Sequence, residues 1–432
     1  MAHLDPITLF ILSLALWGAS AQWPHSWETG GDALWADFGS PTLLGNDKLS
    51  FIASTYNIVS LEKCLGHSVP MATEDAYIIT AGALKALNPT LKTLFYFHAS
   101  VDISGPSFTP CYAAGQYWLS HPELWLYGDD GVTPVVNGPF LFHNLTLAGT
   151  QRYMVDVPMG VLRRAPSLFD GVFADGALAG PYANVSAART AEFNTALYGL
   201  GLTQSLALNA ARPDAPGGVQ VIGNGLAQYW YPNNPSFSKD DGMGMVPFYD
   251  GVCVEHFAAF EMTSPNCSLV PDLMREMLEK IAAVAALNKT VLIKGWPGPI
   301  TTPITDLGPS WPGACGKVAG ATHEERAQDM LDWFEPSYAL FLLAVEPTVY
   351  WSYSWWYGFD DGYWAPANAS QANQTSAPLG WFPDLARPLG EPTGPAGRVP
   401  GGSGWLYART FQHAAVTVDL ADYRATAKIV WS

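Results

Sequence analysis

Asp170-Gly-Val-Phe-Ala-Asp175 is echoed, some eighty residues later, by Asp250-Gly-Val-Cys-Val-Glu255. Each stretch is a short apolar run opened by Asp-Gly and closed by a carboxylate. Such a strand buries its middle and finishes on an acid, which is how a β/α barrel presents reactive groups at its C-terminal rim. Two of them predict two carboxylates at one mouth. A blander role is open to each acid, since Asp and Glu also cap the helices that follow strands. The echo within an aromatic-rich chain favours the chemical role.

Working outward, strands and helices alternate. The first predicted strand is Tyr56–Glu62, followed by a helix from Asp75 to Ala86 that ends before Pro89. The second strand is Lys92–His98, the third Arg152–Val157, the fourth Gly171–Asp175, the fifth Val219–Gly223 and the sixth Gly251–Glu255. The seventh is Thr290–Gly295 and the eighth Thr348–Ser354, with helices predicted over Ala187–Leu200, Pro271–Ala286 and Glu324–Leu343. Eight β-α repeats imply a parallel sheet, and the dinucleotide glycine fingerprint of an open sheet is absent. The fold class is therefore α/β, a (β/α)8 TIM barrel over residues 22–367. Trp23, Trp27 and Trp35 in the lead are expected to plug one end. The long stretch from Ala99 to about Thr150 is expected to form a lid or subsite wall. Residues 368–432 change character: a Pro/Gly-rich segment, then alternating runs that predict a small antiparallel β appendage packed on the barrel.

Composition bounds the rest. Of 432 residues, 49% are apolar, with 17 Trp, 19 Tyr and 20 Phe, enough for a full core. Only 14% are charged, the net charge is −17, and no Lys/Arg-rich run supplies a nucleic-acid footprint. Ile7–Trp17 is too short to span a bilayer and precedes Ala19-Ser20-Ala21, so residues 1–21 read as a signal peptide. No later segment predicts a membrane span. Six sequons, at Asn144, Asn184, Asn266, Asn288, Asn368 and Asn373, agree with a secreted or vacuolar glycoprotein. Five cysteines leave one unpaired. Cys64 with Cys111, and Cys267 with Cys315, are the disulfide candidates, while Cys253 inside its strand reads as a buried core thiol. Nothing in the spacing of Cys and His calls for a metal, and no cofactor is implied.

Strand alternation puts Phe173 with Asp175 on one face and Cys253 with Glu255 on another, so both acids are expected to face the barrel axis. A carboxylate pair of this kind is the minimum equipment for breaking a glycosidic bond, with an oligo- or polysaccharide as substrate. Asp175 and Glu255 are assigned as that pair, and Glu62 could replace either if the strand count slips by one. His98, Asn224, His256 and Lys294 lie at or near predicted strand ends and are candidates for binding substrate, as are Glu62 and the polar Asp156. Trp296, Trp355 and Trp356 could offer stacking faces for sugar rings, or could simply fill the rim.

The chain resembles hypothetical glycosyl hydrolase family 15, a group of TIM-barrel glycoside hydrolases. The likeness rests on Asp170-Gly-Val-Phe-Ala-Asp175-Gly, on Asp250-Gly-Val-Cys-Val-Glu255, and on the tail Leu389-Gly-Glu-Pro-Thr-Gly-Pro, Arg409-Thr-Phe and Val416-Thr-Val-Asp-Leu. It implies a barrel acting on carbohydrate. The layout is also similar to α-galactosidase-like barrels, whose fourth-strand Asp is the nucleophile and whose sixth-strand acid donates the proton. That similarity is what makes Asp175 the nucleophile and Glu255 the acid/base. A Lys-x-Asp ahead of the nucleophile, usual in those enzymes, is absent here. Two other readings stand beside hydrolysis: a lectin-like barrel that binds glycan without cleaving it, and a structural surface glycoprotein.

Overall fold

The structure is a computed structural model that describes residues 23–102, 113–137, 140–177, 180, 184–215, 218–227, 242–258, 270–298, 323–355, 357–359, 363–365, 377–378 and 382–432. Eight strands form one sheet in sequence order: β1 Trp35–Phe38, β2 Ile58–Leu61, β3 Lys92–His98, β4 Gly171–Asp175, β5 Gln220–Asn224, β6 Gly251–Phe257, β7 Thr290–Gly295 and β8 Val349–Tyr353. The registered neighbours β2–β3, β3–β4, β4–β5, β5–β6 and β7–β8 are all parallel. A parallel bridge from Leu34 to Trp351 links the approach to β1 with β8. This is the expected (β/α)8 barrel. Five of its strands are buried at every residue, as a parallel sheet covered by helices requires.

The strand count is right for a mixed reason. Arg152–Val157 is no strand: it lies in the helix Ala148–Arg164, whose buried residues Thr150, Tyr153, Met154, Pro158, Val161 and Leu162 recur at helical spacing. The local run Tyr-Met-Val-Asp-Val imitates a two-residue period, and only the longer window shows the 3.6-residue one. Asp156 accordingly sits on an exposed helix face and not at a strand end. The missing strand is β1, inside the Trp-rich lead. Its four residues, Trp-Ala-Asp-Phe, are all buried, so no alternation betrays them. Trp35 is therefore a barrel side chain, and its indole donates to the Ile293 carbonyl at 2.9 Å.

The chain divides into two compact units, one of Met1–Trp23, Asp37–Ser54 and Ile58–Cys253, the other of Pro24–Ala36, Thr55–Asn57 and Val254–Ser432. In the first, the stretch expected as a loop carries structure of its own. Val101–Asp102 and Val136–Asn137 pair antiparallel with Phe140–Phe142, and a helix covers Ala113–Leu119. In the second, α-helix His323–Ala344 packs on a four-stranded antiparallel sheet of β9 Gly397–Arg398, β10 Leu406–Thr410, β11 Ala414–Asp419 and β12 Lys428–Trp431. Arg409 fixes that contact. Its buried guanidinium donates to the Leu343 carbonyl at 3.3 Å and to the Val345 carbonyl, and it pairs with Glu346 at 2.8 Å. These are the carbonyls that a helix C-terminus leaves without intrahelical partners.

Cys253 is buried and outside any disulfide, as its strand position predicts. Cys64 is not free, while Cys111, Cys267 and Cys315 lie outside the described residues, as do the signal segment 1–21, Asn266, Asn368 and Asn373. Among the described residues no helix is long and apolar enough to cross a membrane, and no cluster of three His, Cys, Asp or Glu could hold a metal ion.

Candidate active site

The two echoed segments begin alike. Asp170 opens β4 by accepting the Thr93 amide at 3.0 Å from the neighbouring strand, and it pairs with Lys85 at 2.7 Å and Lys92 at 3.4 Å. Asp250 opens β6 by accepting the Val221 amide at 2.9 Å. Each acid ties its strand to the one before it. Gly171 follows because a Cβ there would sit 2.4 Å from the Gln220 carbonyl oxygen, so only glycine lets β4 and β5 approach. The Asp-Gly half of the motif is thus a strand fastener.

The far ends differ from these starts, and Asp175 is the more enclosed of the two closing acids. Its Oδ1 accepts from the Asn224 amide at 2.8 Å and from the Gly176 backbone amide at 2.7 Å, and its Oδ2 accepts from the Tyr96 hydroxyl. His98 Nε2 lies 3.8 Å and Lys63 Nζ 3.7 Å from Oδ2. Burial alone would favour the neutral acid. The His98 imidazole, the Lys63 ammonium and the hydrogen bonds from Tyr96 and Asn224 outweigh it and hold the carboxyl well below the usual carboxylate range. Asp175 therefore stays ionised and has no proton to give at working pH. It can attack an electrophilic carbon or stabilise positive charge.

The register explains the cage. His98 pairs with Asp175 and Tyr96 with Phe173, so His98 and Tyr96 share the face of β3 that meets Asp175. The Ser100 and Val101 amides both point at His98 Nδ1, at 3.2 and 3.1 Å, so Nδ1 accepts and Nε2 bears the proton turned toward Asp175. Gly176, at φ +64°, lies against this ring: a Cβ there would come within 2.2 Å of His98 Cε1. The Asp175-Gly176 pair is thus a carboxylate followed by the one residue that leaves room for its histidine.

Glu255, near the end of β6, has a different circle of neighbours. The Tyr357 hydroxyl donates to Oε1, His256 Nε2 lies 3.8 Å from the same oxygen, and the Trp296 indole donates to the Glu255 carbonyl at 2.9 Å. Lys294 is fully buried beside them. Its ammonium donates to Ser354 Oγ at 3.0 Å and to the Tyr363 hydroxyl at 3.3 Å, and it lies 4.4 Å from the centre of the Tyr357 ring.

His98 and Asn224 address Asp175, and His256 addresses Glu255. Glu62 is buried, 3.9 Å from Lys63, and its carbonyl accepts from Tyr77. Trp296 and Trp355 are core side chains, only 2% and 1% exposed, and the Arg326 guanidinium lies over the Trp355 ring at 4.6 Å. Neither presents an open stacking face. Trp356 lies outside the described residues. The sequence reading overlooked Tyr96 and Tyr357. Alternation along β3 would have found Tyr96, two residues before His98, whereas Tyr357 lies beyond β8, where no periodicity operates.

The model of hypothetical glycosyl hydrolase family 15 matches residues 85–415, a span that contains both closing acids and β10. The chain belongs to this family. No curated protein sequence matches the chain. Among solved structures, a noncanonic maltogenic α-amylase from Thermotoga neapolitana is 10% identical, over 89% of this family member and 84% of that chain, with a TM-score of 0.44. The glycoside hydrolase domain of PelA from Pseudomonas aeruginosa is 14% identical over 61% and 84%, with a TM-score of 0.39. The GH36 α-galactosidase AgaB from Geobacillus stearothermophilus is 12% identical over 80% of this chain but only 42% of its own, with a TM-score of 0.39. At these identities and scores the likenesses bear on neither substrate nor site.

Proposed function

We propose that this family 15 protein is a secreted glycoside hydrolase that cleaves a glycosidic bond of a neutral or acetylated glycan, with Asp175 as nucleophile and Glu255 as acid/base. The observation that carries the reading is the Asp175 carboxylate at the end of a barrel strand, caged by Tyr96, Asn224, the Gly176 amide, His98 and Lys63. In the retaining course, an Asp175 oxygen forms a bond to the anomeric carbon as the glycosidic C–O bond breaks. Glu255 passes its proton to the departing oxygen. Water then attacks the same carbon, giving its proton to Glu255 and releasing the Asp175 carboxylate. Tyr96, Asn224 and the Gly176 amide hold the carboxylate in place throughout, and His98 supplies a fixed N–H donor.

Incubation with a glycan panel, following reducing ends and anomeric configuration by NMR, tests this. Turnover lost in both Asp175→Asn and Glu255→Gln, with the fold retained, is the expected result. Glycan binding without turnover in the wild type would move the protein to the lectin-like reading. Export carries two further proposals. The exposed Asn184 and Asn288 bear N-glycans, and Cys64 pairs with Cys111 and Cys267 with Cys315, both checkable by mass spectrometry of the secreted protein.

A further inference from the structure

The Glu255 neighbourhood holds a group whose position the proposed chemistry does not use. Lys294 lies near the end of β7 with its ammonium wholly inside the protein. Two hydroxyls take its hydrogen bonds, Ser354 Oγ at 3.0 Å and Tyr363 at 3.3 Å, and Tyr363 is itself 2.9 Å from Ser352 Oγ. Three aromatic rings surround it, with centres at 4.4 Å for Tyr357, 5.1 Å for Trp296 and 5.4 Å for Tyr363. A buried cation over a phenol ring draws electron density from it, which anchors the ring and makes its hydroxyl a stronger donor. The Tyr357 hydroxyl gives that hydrogen bond to Glu255 Oε1. Trp296 joins the same assembly from the other side: it stands edge-on to Tyr357 at 5.3 Å while its indole holds the Glu255 carbonyl.

From this geometry we infer that Tyr357 is a positioning residue of Glu255, and that Lys294 acts through Tyr357, so the relay Lys294–Tyr357–Glu255 sets the place of that carboxyl. The inference rests on the proposed acid/base role of Glu255. Among the described residues of its unit, His256 on the same strand, Lys294 on β7 and Tyr357 after β8 stand around Glu255, and the Tyr357 hydroxyl donates directly to its carboxylate.

The test is a set of four purified full-length proteins: wild type, Tyr357→Phe, Lys294→Met and the double variant. Tyr357→Phe should lower kcat about ten- to a hundredfold with KM little changed. Lys294→Met should lower kcat in the same way, and should add nothing in the Tyr357→Phe background, because a residue acting through another loses its effect when that other is gone. Lys294→Arg, which keeps the charge, should recover part of the loss. An unchanged kcat in Tyr357→Phe, or additive effects in the double variant, overturns the relay even if thermal unfolding is altered. Difference infrared spectra separate this outcome from failure of the acid/base role. The Glu255 carboxylate band, recognised by its loss in Glu255→Gln, should shift in Tyr357→Phe. If Glu255→Gln remained active while the band shifted, the positioning contact would stand and the catalytic role would fall.

Discussion

The strands β4 and β6 start with the same three residues and end in different chemistry. At their starts, Asp170 and Asp250 do one job, accepting a backbone amide of the preceding strand. At their ends, Asp175 sits among an imidazole, an ammonium, an amide and a phenol that keep it ionised. Glu255 is met by a phenol standing over a buried lysine. A repeated sequence motif is therefore two signals laid end to end. The repeated part reports how a strand is fastened, and the divergent part reports what its tip is for. Two carboxylates with unlike surroundings are what the proposed nucleophile and acid/base roles call for.

The sharpest way to break this contrast is to exchange the ends for their amides. Asp175→Asn and Glu255→Gln should each cost about a thousandfold or more in kcat while the protein stays folded. If either kept most of its turnover, that tip would have no part in the chemistry. The starts should behave in the opposite way. Asp170→Ala leaves Lys85, Lys92 and the Thr93 amide short of an acceptor in a mostly buried setting, and should cost about 2–4 kcal/mol in urea unfolding while the surviving folded protein keeps its kcat. Asp250→Ala loses the Val221 amide contact and should cost about 1–2 kcal/mol by the same measurement. A kinetic defect in either, at unchanged stability, would mean the leading acids are more than fasteners.

The smallest effect sharpens the comparison through pH. The folded-state pKa of Asp175 is depressed, so its contribution to stability is present above the unfolded carboxylate value, about 3.9, and fades as pH falls below it. The stability gap between wild type and Asp175→Asn should therefore narrow on acidification from pH 5 downward. His143 in the same unit is sealed from water, and burial, with the nearby His98, pushes its pKa down to about 3. Its neutral form contributes stability that is lost as pH falls from about 6.5 toward 3, so the gap is best read with His143→Phe as a parallel background. A gap that stayed constant with pH would place the Asp175 cage outside the energetics of folding.

Much of this was legible in the residues. β3, β4 and β7 run between the residues that the pattern predicted, because each is an apolar run bounded by turn or charged residues. The barrel followed from counting repeats. The count concealed an exchange, however: β1 was hidden because four wholly buried residues show no period, and Arg152–Val157 was taken for a strand because a helix seen through six residues can alternate. Beside Asp175, His98 and Asn224 were visible as polar residues at strand ends, as were Glu255 and His256 near the end of β6. Tyr96 was implicit in the alternation of β3. The partnership of Lys294 with Tyr357 was not legible, since it joins a strand to a segment beyond the next strand by the face of a ring, which leaves no spacing to detect.

Arg409 has a consequence in time as well as in space. The carbonyls it satisfies, on Leu343 and Val345, are separated from it by 66 and 64 residues. A ribosome adding about 5–20 residues per second takes several seconds to cover that interval. Until then the end of the last barrel helix waits with its carbonyls turned to water, and a nascent chain halted in the Pro/Gly-rich stretch holds every barrel strand but not the clasp. The clasp is therefore among the last contacts of this helix to become possible, long after the helix itself is made.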